Sequence, residues 1–99
     1  MARHDVFKNP KGNGFLLDVQ NNTIEIIGSR VVIPLIPQGK FVKLAARLNP
    51  DFIIGERHYV LLTQQIATVP IAVLGLPVTS LKAHQHTITE ALDMLFQGF

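Results

Sequence analysis

Apolar residues along this chain fall in short blocks separated by turn formers, and most blocks have the length of a strand. Val6-Phe7-Lys8 reads as a first strand. Asn9-Pro10-Lys11-Gly12-Asn13-Gly14 follows as a turn, with φ fixed at the proline and positive φ expected at the glycines. Phe15-Leu16-Leu17-Asp18-Val19-Gln20 returns, apolar on both faces until Asp18, as expected of a strand in the middle of a sheet. Asn21-Asn22 turns again, and Thr23-Ile24-Glu25-Ile26-Ile27 alternates weakly. Arg30-Val31-Val32-Ile33-Pro34-Leu35 is a β-branched strand. Pro34 cannot donate to a ladder, which predicts a sheet edge or a strand end there. After a loop over 36–40, Phe41, Leu44, Ala45 and Leu48 share a helical spacing that Asn49-Pro50 stops. That run is short, and an irregular segment competes with a helix.

The second half is patterned more strongly. Phe52-Ile53-Ile54 and Arg57 to Leu62 flank Gly55-Glu56, a two-residue hairpin loop of type II′ with glycine at its first position. Residues 63–70 follow neither period. Ile71-Ala72-Val73-Leu74-Gly75 reads as a strand buried on both faces, and Leu76-Pro77-Val78-Thr79 as a connection. Ser80 is a suitable helix N-cap, since its hydroxyl can accept a bond from an unpaired backbone N–H. Leu81, Ile88, Ala91, Leu92, Leu95 and Phe99 then lie on one helical stripe. Thr87-x-x-Glu90 offers a later start. Gly98 sits where a left-handed glycine would end the helix. Strands followed by a terminal helix predict an antiparallel α+β fold, mostly β, with the helix packed on a partly rolled sheet. Two phenylalanines close the chain, and periodicity alone leaves open whether they plug the core or meet a partner.

Composition sharpens this picture in three places. Ninety-nine residues suffice for one domain, spanning 1–99. With 47% hydrophobic and 16% charged residues, so small a body has apolar material left over for an interface, and a homo-oligomer would cover it. Nine basic residues stand against seven acidic ones without any basic run, so direct nucleic-acid binding through a phosphate-tracking patch is not expected. The N-terminus shows no apolar signal region. Residues 58–81 hold no Asp, Glu, Lys or Arg, but Gln64, Gln65, Pro70, Gly75 and Pro77 break them into strand-length pieces, so no membrane span is expected.

Candidate chemistry is sparse. The chain has no cysteine, which removes disulfides and thiolate chemistry. His84 and His86 are two apart, a spacing that turns them to different helix faces, and solvated helix residues explain them better than metal ligands. Asp18 stands in an apolar strand where an unpaired charge is costly. A structural bond to backbone or to Arg30 is favoured there over catalysis. No nucleophile elbow and no phosphate-cradling glycine loop is present. The expectation is a protein that acts by binding, with no catalytic residue and no cofactor.

Several segments, taken in order, resemble the CcdB family of toxins from toxin–antitoxin modules. They are Asp18-Val19-Gln20 after an apolar strand, Arg30-Val31-Val32-Ile33-Pro34-Leu35, the run from Leu62-Thr63-Gln64-Gln65 to Val69-Pro70, and the helix ending in Gly98-Phe99. The resemblance covers nearly the whole chain and is least before Phe15. It implies an SH3-like barrel of the CcdB/MazF kind, with a small accessory sheet and a C-terminal helix. It implies a cytoplasmic homodimer and two protein partners. One is the A subunit of DNA gyrase, gripped so that cleaved DNA cannot be resealed. The other is a CcdA-like antitoxin whose disordered tail folds along the toxin.

Carried over by position, the gyrase-contacting residues are Thr23, Ile24, Asp93, Gln97, Gly98 and Phe99. The best-known member ends in Trp-Gly-Ile, where this chain has Gln97-Gly98-Phe99, and Asp93 replaces an asparagine. Two other readings share the fold. One is a MazF-type endoribonuclease, for which Arg30, Arg57 and Thr63 are the nominees. The other is a non-toxic homologue that binds only an antitoxin.

Overall fold

The computed structural model describes residues 2–22, 28–40 and 46–98. Among these residues seven strands form one antiparallel sheet: β1 (Asp5–Lys8), β2 (Phe15–Asp18), β3 (Ser29–Pro37), β4 (Asp51–Ile54), β5 (Arg57–Leu61), β6 (Ala67–Pro70) and β7 (Thr79–Ser80). Their spatial order is β4-β5-β3-β2-β1-β7, with β6 branching from β3. Among the described residues the one α-helix is α1 (Gln85–Gln97), near the end of the chain. The sheet rolls into a nearly closed, SH3-like barrel. A cleft of about 600 Å³, lined by Ile53, Ile54, Val78, Leu81 and His84 among others, lies where residues of β4 and β7, the two ends of the strand order, approach one another.

Strand alternation explains why the early strands read as apolar on both faces. Val6, Leu17, Ile33 and Leu35 point into the main core with Phe52, Tyr59, Leu61, Ile88 and Ala91. Their neighbours Phe7, Leu16 and Val32 point the other way and form a smaller cluster closed by Leu74 and Val69. β2 lies between β1 and β3 as its pattern predicts. The β4–β5 hairpin also forms as expected, with Gly55 at φ +67° in its first turn position.

Four expectations need correction. Pro34 lies inside the central nine-residue strand, paired with Leu16, and not at an edge. The reason is local: β3 changes partners on its far side, from β6 over Ser29–Val32 to β5 over Leu35–Pro37. Pro34 falls in that gap. Its carbonyl accepts the Leu62 N–H at 2.9 Å, and no ladder N–H is required of it. Residues 71–75 are not a strand. Ser29↔Pro70 is the last pair of the ladder, and after one further bond, from the Ile71 N–H to the Gly28 carbonyl at 2.9 Å, the chain forms a 3-10 turn at Ile71–Val73, burying only Leu74.

The helix begins at Gln85, after Ser80 and before Thr87. The Ser80 hydroxyl does accept the Lys82 N–H, at 3.2 Å, but at the start of a preceding 3-10 turn, Lys82–His84, whose N-cap residue is Leu81. Gly12 and Gly14 do not have positive φ. Gly14 is required for another reason: a Cβ there would sit 1.9 Å from the Leu35 carbonyl oxygen. The weakly alternating strand Thr23–Ile27 and most of the helix suggested over 41–48 lie outside the described residues.

Candidate partner-binding surface

α1 is docked by its first half and free at its end. Ile88 and Ala91 are fully buried, and Leu92 packs on the edge of the core. Further on the anchoring weakens: Met94 and Leu95 are half-buried, and Phe96 is 70% exposed. Asp93, Phe96 and Gln97 are spaced i, i+3, i+4, which makes them neighbours on the helix surface. Asp93, Gln97 and Gly98 are all exposed. Gly98 takes the left-handed conformation at φ +79°, and its N–H donates to the Met94 carbonyl at 3.1 Å. The result is an exposed aromatic ring bordered by an acid, an amide and a bare backbone turn.

Of the six residues nominated from sequence, Asp93, Gln97 and Gly98 thus come together on the last two turns of α1. Thr23, Ile24 and Phe99 lie outside the described residues. The sequence reading did not nominate Phe96. Its signal was its place off the 88–91–92–95 stripe, on the flank shared with Asp93 and Gln97.

A buried network fixes the strand end that leads toward Thr23. Arg30 donates from Nε to Asp18 Oδ2 at 2.7 Å and from Nη2 to Asp18 Oδ1 at 3.0 Å, and both side chains are almost fully buried. Asp18 Oδ1 also accepts the Gln20 N–H at 3.0 Å, and Gln20 Oε1 accepts the Val31 N–H at 3.1 Å. A buried carboxylate held by three donors is a structural group, as the sequence suggested. The Asn22 side chain continues the path by accepting the Arg3 N–H at 2.7 Å.

The nominees for ribonuclease chemistry have other engagements. Arg30 is bound to Asp18. Thr63 is buried and donates its hydroxyl to the Leu48 carbonyl. Arg57 is exposed, with its guanidinium 5.9 Å from the Tyr59 ring centre. Among the described residues no group of three or more His, Asp or Glu could hold a metal ion, and His84 instead packs against Phe52 with ring centres 5.3 Å apart.

The chain matches the family described as CcdB protein over residues 3–98. It belongs to the CcdB family. That family comprises the toxin partners of toxin–antitoxin modules, and the match begins at Arg3, so the first strand is included although it resembled the family least. No helix among the described residues is long and apolar enough to cross a membrane.

Proposed function

We propose that this protein is a gyrase-directed toxin: it binds the A subunit of DNA gyrase, traps the enzyme on cleaved DNA, and is neutralised by a CcdA-like antitoxin. The observation that carries the reading is the exposed end of α1 in a CcdB-family chain. An aromatic side chain left 70% exposed beside Asp93, Gln97 and Gly98 has the composition of an interface anchor with a polar rim. In this reading Thr23, Ile24 and Phe99 complete the contact surface. The protein acts by binding, as one CcdB-like unit over 1–99, in the cytoplasm where gyrase works.

The same reading makes it a homodimer. Exposed Ile53, Leu76 and Val78 offer apolar surface that a second copy would cover. Light scattering on the purified protein should return twice the chain's mass; a monomer at micromolar concentration would count against a dimeric grip. For the function itself, induced expression in a sensitive bacterium should stop growth and accumulate gyrase-bound cleaved DNA. Growth arrest accompanied by cut messenger RNA and intact chromosome would point to the ribonuclease reading instead.

A further inference from the structure

Residues 2–5 fasten two places that lead to the candidate surface. The Arg3 N–H donates to Asn22 Oδ1 at 2.7 Å, and Asn22 immediately precedes the nominated Thr23. The His4 N–H donates at 2.7 Å to the carbonyl of Asp18, the last residue of β2, and the His4 carbonyl accepts the Leu81 N–H at 2.9 Å. Leu81 is buried in the main core and leads through the 3-10 turn at Lys82–His84 into α1. The segment also closes on itself: Asp5 Oδ2 accepts the Ala2 N–H at 3.0 Å, and the Asp5 N–H donates to the Ala2 carbonyl at 3.1 Å. Two consecutive residues, Arg3 and His4, thus tie together the end of β2, Asn22 beyond it and the approach to α1.

His4 is the weak point of this strap. It has φ +77°, the only positive φ among the described non-glycine residues, and is 6% exposed. A left-handed residue with a side chain is strained and persists only where its surroundings over-determine it. Those surroundings suit a neutral ring. Nε2 is buried without a hydrogen-bond partner. Protonation makes both ring nitrogens donors, so a charged ring would hold an N–H at Nε2 that meets no acceptor.

Among the described residues four charged groups act on the ring. Arg3 and Lys82 oppose its protonation, and Asp18 and Asp5 favour it. The two acids are already engaged: Arg30 holds both oxygens of Asp18, and the Ala2 N–H takes Oδ2 of Asp5. Burial, the largest influence, holds the His4 pKa below 6.5, and the Arg3 charge adds to it. A released ring is solvated and takes up its proton near 6.5. We propose that residues 2–5 are an acid-released strap: when His4 takes up a proton the segment detaches, and its bonds to Asn22, Asp18 and Leu81 open together. The strap stands whether or not the helix end binds gyrase.

The test is amide hydrogen exchange of the full chain at pH 7 and pH 5, with each rate divided by the intrinsic rate of an unstructured chain at that pH. The Arg3, His4 and Leu81 amides report the strap, and the slowest amides of β3 report global unfolding. The three strap amides should be less protected than those of β3 at both pH values. Their protection should fall together by at least about threefold between pH 7 and pH 5; one proton taken up near 6.5 allows no more than about 25-fold. His4→Gln should remove most of that fall, whereas His86→Gln, at an exposed helix position, should keep it. Should His4→Gln not fold, His4→Gly takes its place, because glycine adopts positive φ without strain. Strap protection that is unchanged at pH 5, that falls by the same factor without His4, or that equals the β3 value at both pH values would overturn the proposal.

Discussion

At the scale of single residues, most of the polar chemistry of this protein is structural. The Asp18–Arg30 pair is buried and fully hydrogen-bonded, so removing one partner strands the other charge. Arg30→Met should therefore cost about 3–5 kcal/mol in urea unfolding; a loss under about 1 kcal/mol would mean that Asp18 is resolvated once its partner is gone. His4 gives the pH signature. Burial holds its pKa below the ordinary 6.5, aided by the Arg3 and Lys82 charges and opposed by Asp18 and Asp5. The folded state thus prefers neutral His4, while the unfolded chain takes up a proton near 6.5. Stability from this group is complete above 6.5, declines as pH falls below it, and levels off once the folded form also protonates. The melting temperature of His4→Gln should fall less than that of the parent between about pH 7 and pH 5; parallel declines would show that other groups govern the acid limb. The importance of Asp18 was legible in the sequence, because a charge in an apolar strand demands a partner. His4 was not: nothing in Arg3-His4-Asp5 announces a buried ring at positive φ, which two distant backbone bonds impose.

At the scale of elements, apolar blocks bounded by turn formers located β1, β2 and the β4–β5 hairpin, and the helical stripe located the body of α1. They failed where tertiary pairing decides. Pro34 sits in mid-strand because its neighbour changes from β6 to β5 at that point, and residues 71–75 turn where the β3–β6 ladder ends at Ser29↔Pro70. Neither fact is contained in a local pattern. The helix divides into an anchored half and a presented half, and the two respond differently to truncation. Ile88→Ala removes a fully buried side chain and should cost about 2–5 kcal/mol. Phe96→Ala should change stability by no more than about 0.5 kcal/mol, as surface substitutions do. Equal losses at the two positions, measured by thermal unfolding, would mean that Phe96 is packed in solution, whether in the core or against a second copy.

At the scale of the whole molecule, a rolled antiparallel sheet supports one helix whose end projects an aromatic residue and a left-handed glycine. The chain belongs to the CcdB family, and the same ordered segments made that family recognisable in the sequence. Of the six residues nominated from sequence, Asp93, Gln97 and Gly98 share the exposed end of α1. Phe96, which the sequence reading passed over, joins them on the flank of α1 that lies off the 88–91–92–95 stripe. The most direct measurement combines purified protein, gyrase and supercoiled DNA in a cleavage assay, with Phe96→Ala and a chain lacking Gly98 and Phe99 as comparisons. The parent protein should accumulate protein-linked broken DNA. The truncated chain should accumulate none while keeping its melting temperature, and Phe96→Ala should require at least about tenfold more protein, the loss of one interface anchor. Absence of cleavage with the folded parent protein, or full cleavage by the folded truncated chain, would contradict the account.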